Sequence, residues 1–192
     1  YDLLKPIDTE LEITDIKLLK KKGGKSDFVK DIDPNLQATV IVMSDSIAAE
    51  KKHDKSGKSI VNKLEECGIS KINYHIIPDE KEDLQNLVNS SLEEGSKLII
   101  TTGGTGLSPR DITPESLLPM LDVEIPGIME AARSYGQERT PYSMLSRGIA
   151  GLINDTLVLA LPGSTKGASE SMDALFPYIL HIYKVIKGRR HD

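Results

Sequence analysis

The residues with the clearest chemical potential are Thr101-Thr102-Gly103-Gly104-Thr105-Gly106-Leu107-Ser108-Pro109-Arg110-Asp111. They follow the apolar run Leu98-Ile99-Ile100 and lead into Ile112-Thr113-Pro114-Glu115, which opens a helix. A strand, a turn rich in glycine and hydroxyls, and a helix start together gather backbone N–H groups into a cradle for an anion. The turn lacks the Gly-Lys-Ser/Thr ending of a Walker loop and the spacing of a Gly-x-Gly-x-x-Gly fingerprint. Thr113, Pro114 and Glu115 already supply a cap, a proline at the first helical position and an acid in the first turn. Asp111 therefore has no evident local task and reads as a functional carboxylate beside the anion.

Asp79 is the second candidate acid. It precedes a helix and has Glu82 three residues later, so capping and function explain it equally well, and both readings stand. Two carboxylates beside a phosphate cradle suit Mg²⁺, which is usually held by one or two carboxylates plus substrate phosphates. Such an ion stabilises the charge that develops in phosphoryl or nucleotidyl transfer. Arg147 and Lys166 are candidate cations for further anionic groups, although a solvated surface charge is the commoner role for either. Ser164 and Thr165 can cap the last long helix. The histidines show no metal-ligand spacing, and no Ser–His–Asp set is present.

A strand–helix alternation must position these residues. Gln37 to Met43 reads as a strand ending at Ser44-Asp45-Ser46. Lys55 to Cys67 places Ile60, Val61, Leu64 and Cys67 on one helical face, stopped by Gly68. Ile72 to Ile77 is a strand ending at Pro78-Asp79, and Leu84, Leu87, Val88 and Leu92 mark a helix stopped near Gly95. Lys97 to Thr101 is the third strand. Helical patches follow around 114–121 and 125–138. Leu145 to Leu152 reads as extended, and Thr156 to Ala160 is a strand ending at Leu161-Pro162-Gly163-Ser164-Thr165-Lys166. Residues 165–187 are helical in pattern, broken or kinked at Pro177. The expected fold is α/β, a three-layer, mainly parallel sheet flanked by helices. The polar turns all follow strands, and ligands of open α/β sheets bind outside the carboxyl ends of the strands. Residues 1–33 read as a short non-domain segment with a basic Lys20-Lys21-Lys22-Gly23-Gly24-Lys25 loop, and residues 34–192 as the domain.

Composition narrows the partners. Having no Trp and two Phe argues against a base-stacking platform for single-stranded nucleic acid, and the net charge of −5 gives no reason to expect a polyanion. No apolar run reaches membrane-spanning length. A lone cysteine, Cys67, excludes an intramolecular disulfide framework and fits a reducing, cytoplasmic setting. A chain that opens on Tyr1 reads as a processed or truncated product.

Residues 38 to 187 resemble the Mog-type molybdenum cofactor family, which includes molybdopterin adenylyltransferase. The matching pieces are Ser44-Asp45-Ser46, Asp54-Lys55-Ser56-Gly57, Ile77-Pro78-Asp79-Glu80, Thr101 to Gly106, Pro109-Arg110-Asp111-Ile112-Thr113-Pro114-Glu115, Pro126-Gly127, Leu145-Ser146-Arg147 and Leu161 to Lys166. The Gly-Ser-Thr-Lys ending is closer to the B-type branch. The resemblance implies transfer of AMP from Mg-ATP to the phosphate of molybdopterin, release of pyrophosphate, and a trimer. It makes Asp79 and Asp111 the catalytic, metal-associated acids (for Mg²⁺ or another divalent cation) and gives phosphate to Gly103, Gly104, Thr105 and Gly106. Ser44, Asp45, Gly57, Ser146, Arg147, Pro162, Gly163, Ser164 and Lys166 become substrate-binding residues. The other class of function is a non-catalytic molybdopterin-binding or scaffold domain.

Residues 1 to 30 resemble the C-terminal end of cyclic pyranopterin monophosphate synthase, through Tyr1-Asp2-Leu3-Leu4-Lys5, Ile13 to Leu19 and Gly23-Gly24-Lys25-Ser26. The resemblance makes Asp2, Lys5 and Lys21 vestigial synthase residues. Most of that enzyme's body is absent here. The chain thus reads as the C-terminal part of a bifunctional fusion without synthase activity.

Overall fold

Three strands of this chain are mainly apolar and buried almost throughout: β1 (Gln37–Met43), β3 (Leu98–Thr102) and β6 (Thr156–Leu161). In the computed structural model, which describes residues 33, 35–186 and 188, they occupy the middle of the sheet. Strands covered on both faces read as continuous apolar runs, as these do. β2 (Lys71–Ile77) is half-exposed and lies at one edge. The order is β2-β1-β3-β6-β5-β4, with the first four strands parallel. β5 (Ala150–Ile153) returns antiparallel to β6 through a turn at Asn154, whose φ of 53° is left-handed. The two-residue β4 (Val123–Glu124) pairs antiparallel with β5.

The pleat divides the core into two. Ala38, Val40, Leu98, Ile100, Leu157 and Leu159 face α2 (Ser56–Glu66), α5 (Pro126–Gln137) and α6 (Thr165–Leu175). Ile41, Met43, Ile99, Val158 and Ala160 face α3 (Lys81–Glu93) and α4 (Thr113–Leu117). Ile60 and Leu64 are fully buried on α2, and truncating either to alanine would cost about 2–5 kcal/mol. Cys67 closes α2 and is buried with them. A four-residue α1 (Asp45–Ala48) follows β1, and α7 (Ile182–Ile186) ends the described fold.

The three-layer, mainly parallel α/β expectation holds, with local differences. The stretch expected to be extended from Leu145 to Leu152 becomes a strand only at Ala150. Before it, Ser143–Leu145 form a 3₁₀ turn, and the following residues leave the sheet to pack on the Thr105–Gly106 loop. The helix expected to run on to residue 187 stops at Leu175, ahead of Pro177, and resumes as short 3₁₀ and α turns.

Candidate active site

β1 pairs with β2 on one side and β3 on the other, although β3 follows β2 in sequence. Strand order therefore reverses about β1, and a crevice opens at the carboxyl ends of β1 and β3. The four polar turns singled out in the sequence follow β2, β1, β3 and β6, which are consecutive in the sheet. They form one rim.

The turn after β3 is held by close backbone approaches. Gly103 has φ 106°, and a Cβ there would lie 2.1 Å from the Met43 carbonyl oxygen, so only glycine lets the β3 turn cross the end of β1. Gly163 presses on Gly103 from the other side, while the Thr102 hydroxyl donates to the Pro162 carbonyl at 2.8 Å. Thr113 braces the turn from beneath, its hydroxyl donating to the Gly103 carbonyl (2.9 Å) and its N–H to that of Gly104 (3.0 Å). By its position before Pro114, Thr113 is expected to cap the helix. Here its hydroxyl is engaged by the turn, and α4 starts without a side-chain cap. The N–H groups of Gly104, Thr105, Gly106 and Leu107 have no acceptor among the described residues, which leaves four donors on one loop for an anion.

Asp111 does have a local task, contrary to the sequence reading. Its Oδ2 accepts from the Ser108 N–H at 2.8 Å and closes the turn. Its Oδ1 has no hydrogen-bond donor among the described residues. Gly106 packs against this carboxylate, since a Cβ there would sit 2.8 Å from Oδ2. Asp79 is likewise not a helix cap. The cap position of α3 is Glu80, which makes no side-chain cap bond. Instead Asp79 and Asp45 exchange bonds across the ends of β1 and β2: Asp45 N–H donates to Asp79 Oδ2, and Asp79 N–H to Asp45 Oδ1, both at 3.0 Å. Burial pushes the Asp79 carboxyl above its ordinary range, and the negative charges of Asp45 and Asp111 push the same way. The Arg110 guanidinium holds Asp45 below that range.

Arg147 does not stand free for an anion. Its Nε donates to the Gly106 carbonyl (2.7 Å), one Nη to that of Asp111 (2.6 Å), and the other pairs with Glu115. It braces the loop from outside. Ser44 caps α1 through a weak 3.4 Å bond from Ile47 N–H, and Ser164 caps α6 by accepting from Gly167 N–H at 3.1 Å. Gly57 is buried under β1, where a Cβ would meet Val42 at 2.4 Å, and its N–H is held by Asp54, so its role is packing. Ser146, Pro162, Ser164 and Lys166 line a cavity of about 420 Å³ with Ala132, Gly136 and Tyr142. Lys166 stands at its edge, largely exposed and 3.8 Å from Glu170. Asp2, Lys5 and Lys21 lie outside the described residues.

Two groups escaped the sequence reading. Asp54 is a buried carboxylate that accepts from the Ser56 hydroxyl, the Gly57 and Lys58 N–H groups and the Tyr74 hydroxyl. Arg110 grips Asp45 with two bonds and Glu80 with a third. The only signal for either was its place inside the quoted motifs Asp54-Lys55-Ser56-Gly57 and Pro109-Arg110-Asp111.

The donor set also fits a hard divalent cation. No group of three or more His, Cys, Asp or Glu is arranged to hold a metal among the described residues. Two carboxylates with unengaged oxygens, next to free amides for phosphate, are what Mg²⁺ needs when a nucleotide supplies the remaining ligands.

A family described as "Probable molybdopterin binding domain" matches residues 39–181. The chain belongs to this family. The molybdopterin-binding domain resembles, at 38% identity, the "Molybdenum cofactor biosynthesis bifunctional protein" of Chlorobaculum tepidum, in an alignment covering 100% of this chain and 60% of that protein. The chain thus spans about 60% of the length of that relative. It is 32% identical to the "Molybdopterin adenylyltransferase" of Pyrococcus furiosus over 84% of this chain and 97% of that one. Among solved structures, MoaB of Thermus thermophilus superposes with a TM-score of 0.74 at 37% identity, covering 80% of this chain and 97% of that chain. The fold is therefore the Mog/MoaB α/β fold. No helix among the described residues is long and apolar enough to cross a membrane.

Proposed function

We propose that this molybdopterin-binding domain adenylylates molybdopterin with Mg-ATP. A pterin phosphate oxygen attacks the α-phosphorus of ATP, the bond from that phosphorus to the bridging oxygen breaks, and pyrophosphate leaves. One observation carries the reading: four unengaged amides, Gly104 to Leu107, share a rim with the free carboxylate oxygens of Asp79 and Asp111. The amides hold the polyphosphate, and the two carboxylates would hold the divalent ion. That ion supplies neutralisation of the charge that builds on the phosphate oxygens. Gly103 and Gly163, pressed together, let the turns after β3 and β6 lie side by side at the rim. The cavity beside the rim offers hydroxyls from Ser143, Ser146 and Ser164 between the apolar surfaces of Ala132 and Pro162, a lining suited to a flat, polar-edged heterocycle.

Burial raises the Asp79 carboxyl above its ordinary range, so a cation and a proton compete for it, and nucleotide-metal binding strengthens as pH rises through the carboxylate range. Asp111→Asn keeps the acceptor for Ser108 N–H but removes the charge. Turnover should fall at least about 100-fold with an unchanged fold, and retained turnover would remove Asp111 from the chemistry.

A second reading, pterin binding without turnover, is favoured by Arg147, whose donors face loop carbonyls and Glu115 rather than the crevice. Bound pterin with no ATP-dependent product would select it. We further infer a cytoplasmic homotrimer from the family resemblance, supported by the exposed Leu118 and Val123 beside edge strand β4, and sedimentation velocity reads the assembly directly. Residues 1–33 are proposed as the trailing end of a synthase fused to this domain. The alignment of the whole chain with a protein named bifunctional supports that origin.

A further inference from the structure

Two like charges that share a cation repel each other until the cation arrives. Asp79 and Asp111 are such a pair, carried on separate loops after β2 and β3. Their neighbours in sequence, Glu80 and Arg110, have opposite charges and pair at 2.9 Å. The attraction of the second pair therefore opposes the repulsion of the first, one residue along each loop. Arg110 does more than this. Its Nη2 and Nε bond Oδ1 and Oδ2 of Asp45 at 2.8 and 3.1 Å, a fork-on-carboxylate arrangement. Asp45 in turn exchanges two bonds with Asp79. A single guanidinium thus ties the loops after β1, β2 and β3.

We infer that Arg110 is a positioning residue, a clasp that acts through Asp45 and Glu80 to hold Asp79 and Asp111 at cation-bridging separation before metal and nucleotide bind. The inference rests on the proposed metal-nucleotide role of those two acids. Asp45, with Oδ1 shared between Arg110 and Asp79 N–H and Oδ2 facing Arg110, is part of the clasp rather than a ligand. Isolated exposed ion pairs contribute little, but a bidentate pair joined to further bonds restricts geometry as a unit. Arg110 lies in the loop that carries Asp111, so the clasp sets the distance between the acids without touching substrate.

Charge and geometry predict opposite signs, which makes the clasp testable. If Arg110 only added positive charge, removing it would tighten cation binding by relieving repulsion. Removal of a clasp weakens it. Mn²⁺ binding to the full 192-residue chain, measured by electron paramagnetic resonance with α,β-methylene-ATP (an analogue unable to transfer AMP), should weaken about tenfold in Arg110→Gln and less in Glu80→Gln. Arg110→Lys keeps the charge but cannot fork across Asp45 and Glu80 together, and should fall between Arg110→Gln and wild type. In metal-free protein, hydrogen exchange at the Asp45 and Asp79 amides should quicken several-fold in Arg110→Gln. Equal or tighter Mn²⁺ binding in Arg110→Gln, unchanged exchange, or a lysine variant identical to wild type would each overturn the clasp. Wild-type protein that binds no Mn²⁺ would overturn the metal reading itself, a separate and recognisable outcome.

Discussion

Gly106→Ala isolates the placement of one carboxylate. Gly106 lacks the left-handed φ of Gly103 and Gly104, so an alanine there adds no backbone strain. Its Cβ would stand 2.8 Å from Asp111 Oδ2 and 3.3 Å from Cγ. To regain ordinary van der Waals contact, the carboxylate must retreat by roughly 0.6 Å. That retreat also weakens the 2.8 Å bond from Ser108 N–H, an exposed hydrogen bond to a charged group. The stability loss should stay near 1 kcal/mol, or about 2–4 °C in Tm. Turnover is far more sensitive, because a misplacement approaching 1 Å at a reacting centre costs up to about 100-fold. We expect a drop of roughly 10- to 100-fold in pyrophosphate release with molybdopterin and Mg-ATP, with the fold intact by circular dichroism. Gly68→Ala is the control. Gly68 has φ 87° with open space around it, so alanine there should lower Tm slightly and leave turnover alone. Wild-type turnover in Gly106→Ala would mean that the position of the Asp111 carboxylate does not matter, and the assignment would fail.

Asp79→Asn should trade activity for stability. A raised folded pKa means that Asp79 favours the native state below its unfolded pKa, and that this contribution is lost as pH rises through the folded value. The amide should therefore raise Tm at pH 7, with a difference that disappears in acid, while turnover collapses. A lower Tm at pH 7 would contradict the burial argument. Asp54 behaves in the opposite sense. Burial raises its carboxyl, but the bonds from Tyr74, Gly57, Ser56 and Lys58 outweigh it and hold the pKa low. Its contribution is present above the unfolded pKa and lost as pH falls through the folded one. Asp54→Asn should cost about 2–3 kcal/mol by urea denaturation at pH 7, and a neutral effect would show that the buried charge is dispensable. Ser164→Ala should cost about 1 kcal/mol through the α6 cap. Ser164→Asp should restore the cap but repel an anionic substrate, weakening pterin affinity at preserved Tm; unchanged affinity would place the anion elsewhere.

The fold was legible wherever local pattern and tertiary burial agree. Leu98-Ile99-Ile100 and Leu157-Val158-Leu159 announce central strands because both faces of each are covered. Val123-Glu124 announces nothing, since two exposed residues become a strand only through β5. The chemistry followed the same division. The glycines of the β3 turn were readable because φ and close approach demand glycine locally. Asp79 reads as a cap as readily as a functional acid because its actual partner, Asp45, lies 34 residues away. Asp111 looked unengaged because a bond back to Ser108 N–H leaves no residue-type signature. Arg110 was silent for a similar reason, its carboxylate partners lying 30 and 65 residues off.

The central claim concerns transfer rather than binding alone. Wild-type protein incubated with molybdopterin and Mg-ATP should release pyrophosphate in step with a pterin product heavier by one adenylyl group in mass spectrometry. Asp111→Asn should bind pterin but form neither. Pterin bound by the wild type with no adenylylated product and no pyrophosphate would contradict the account.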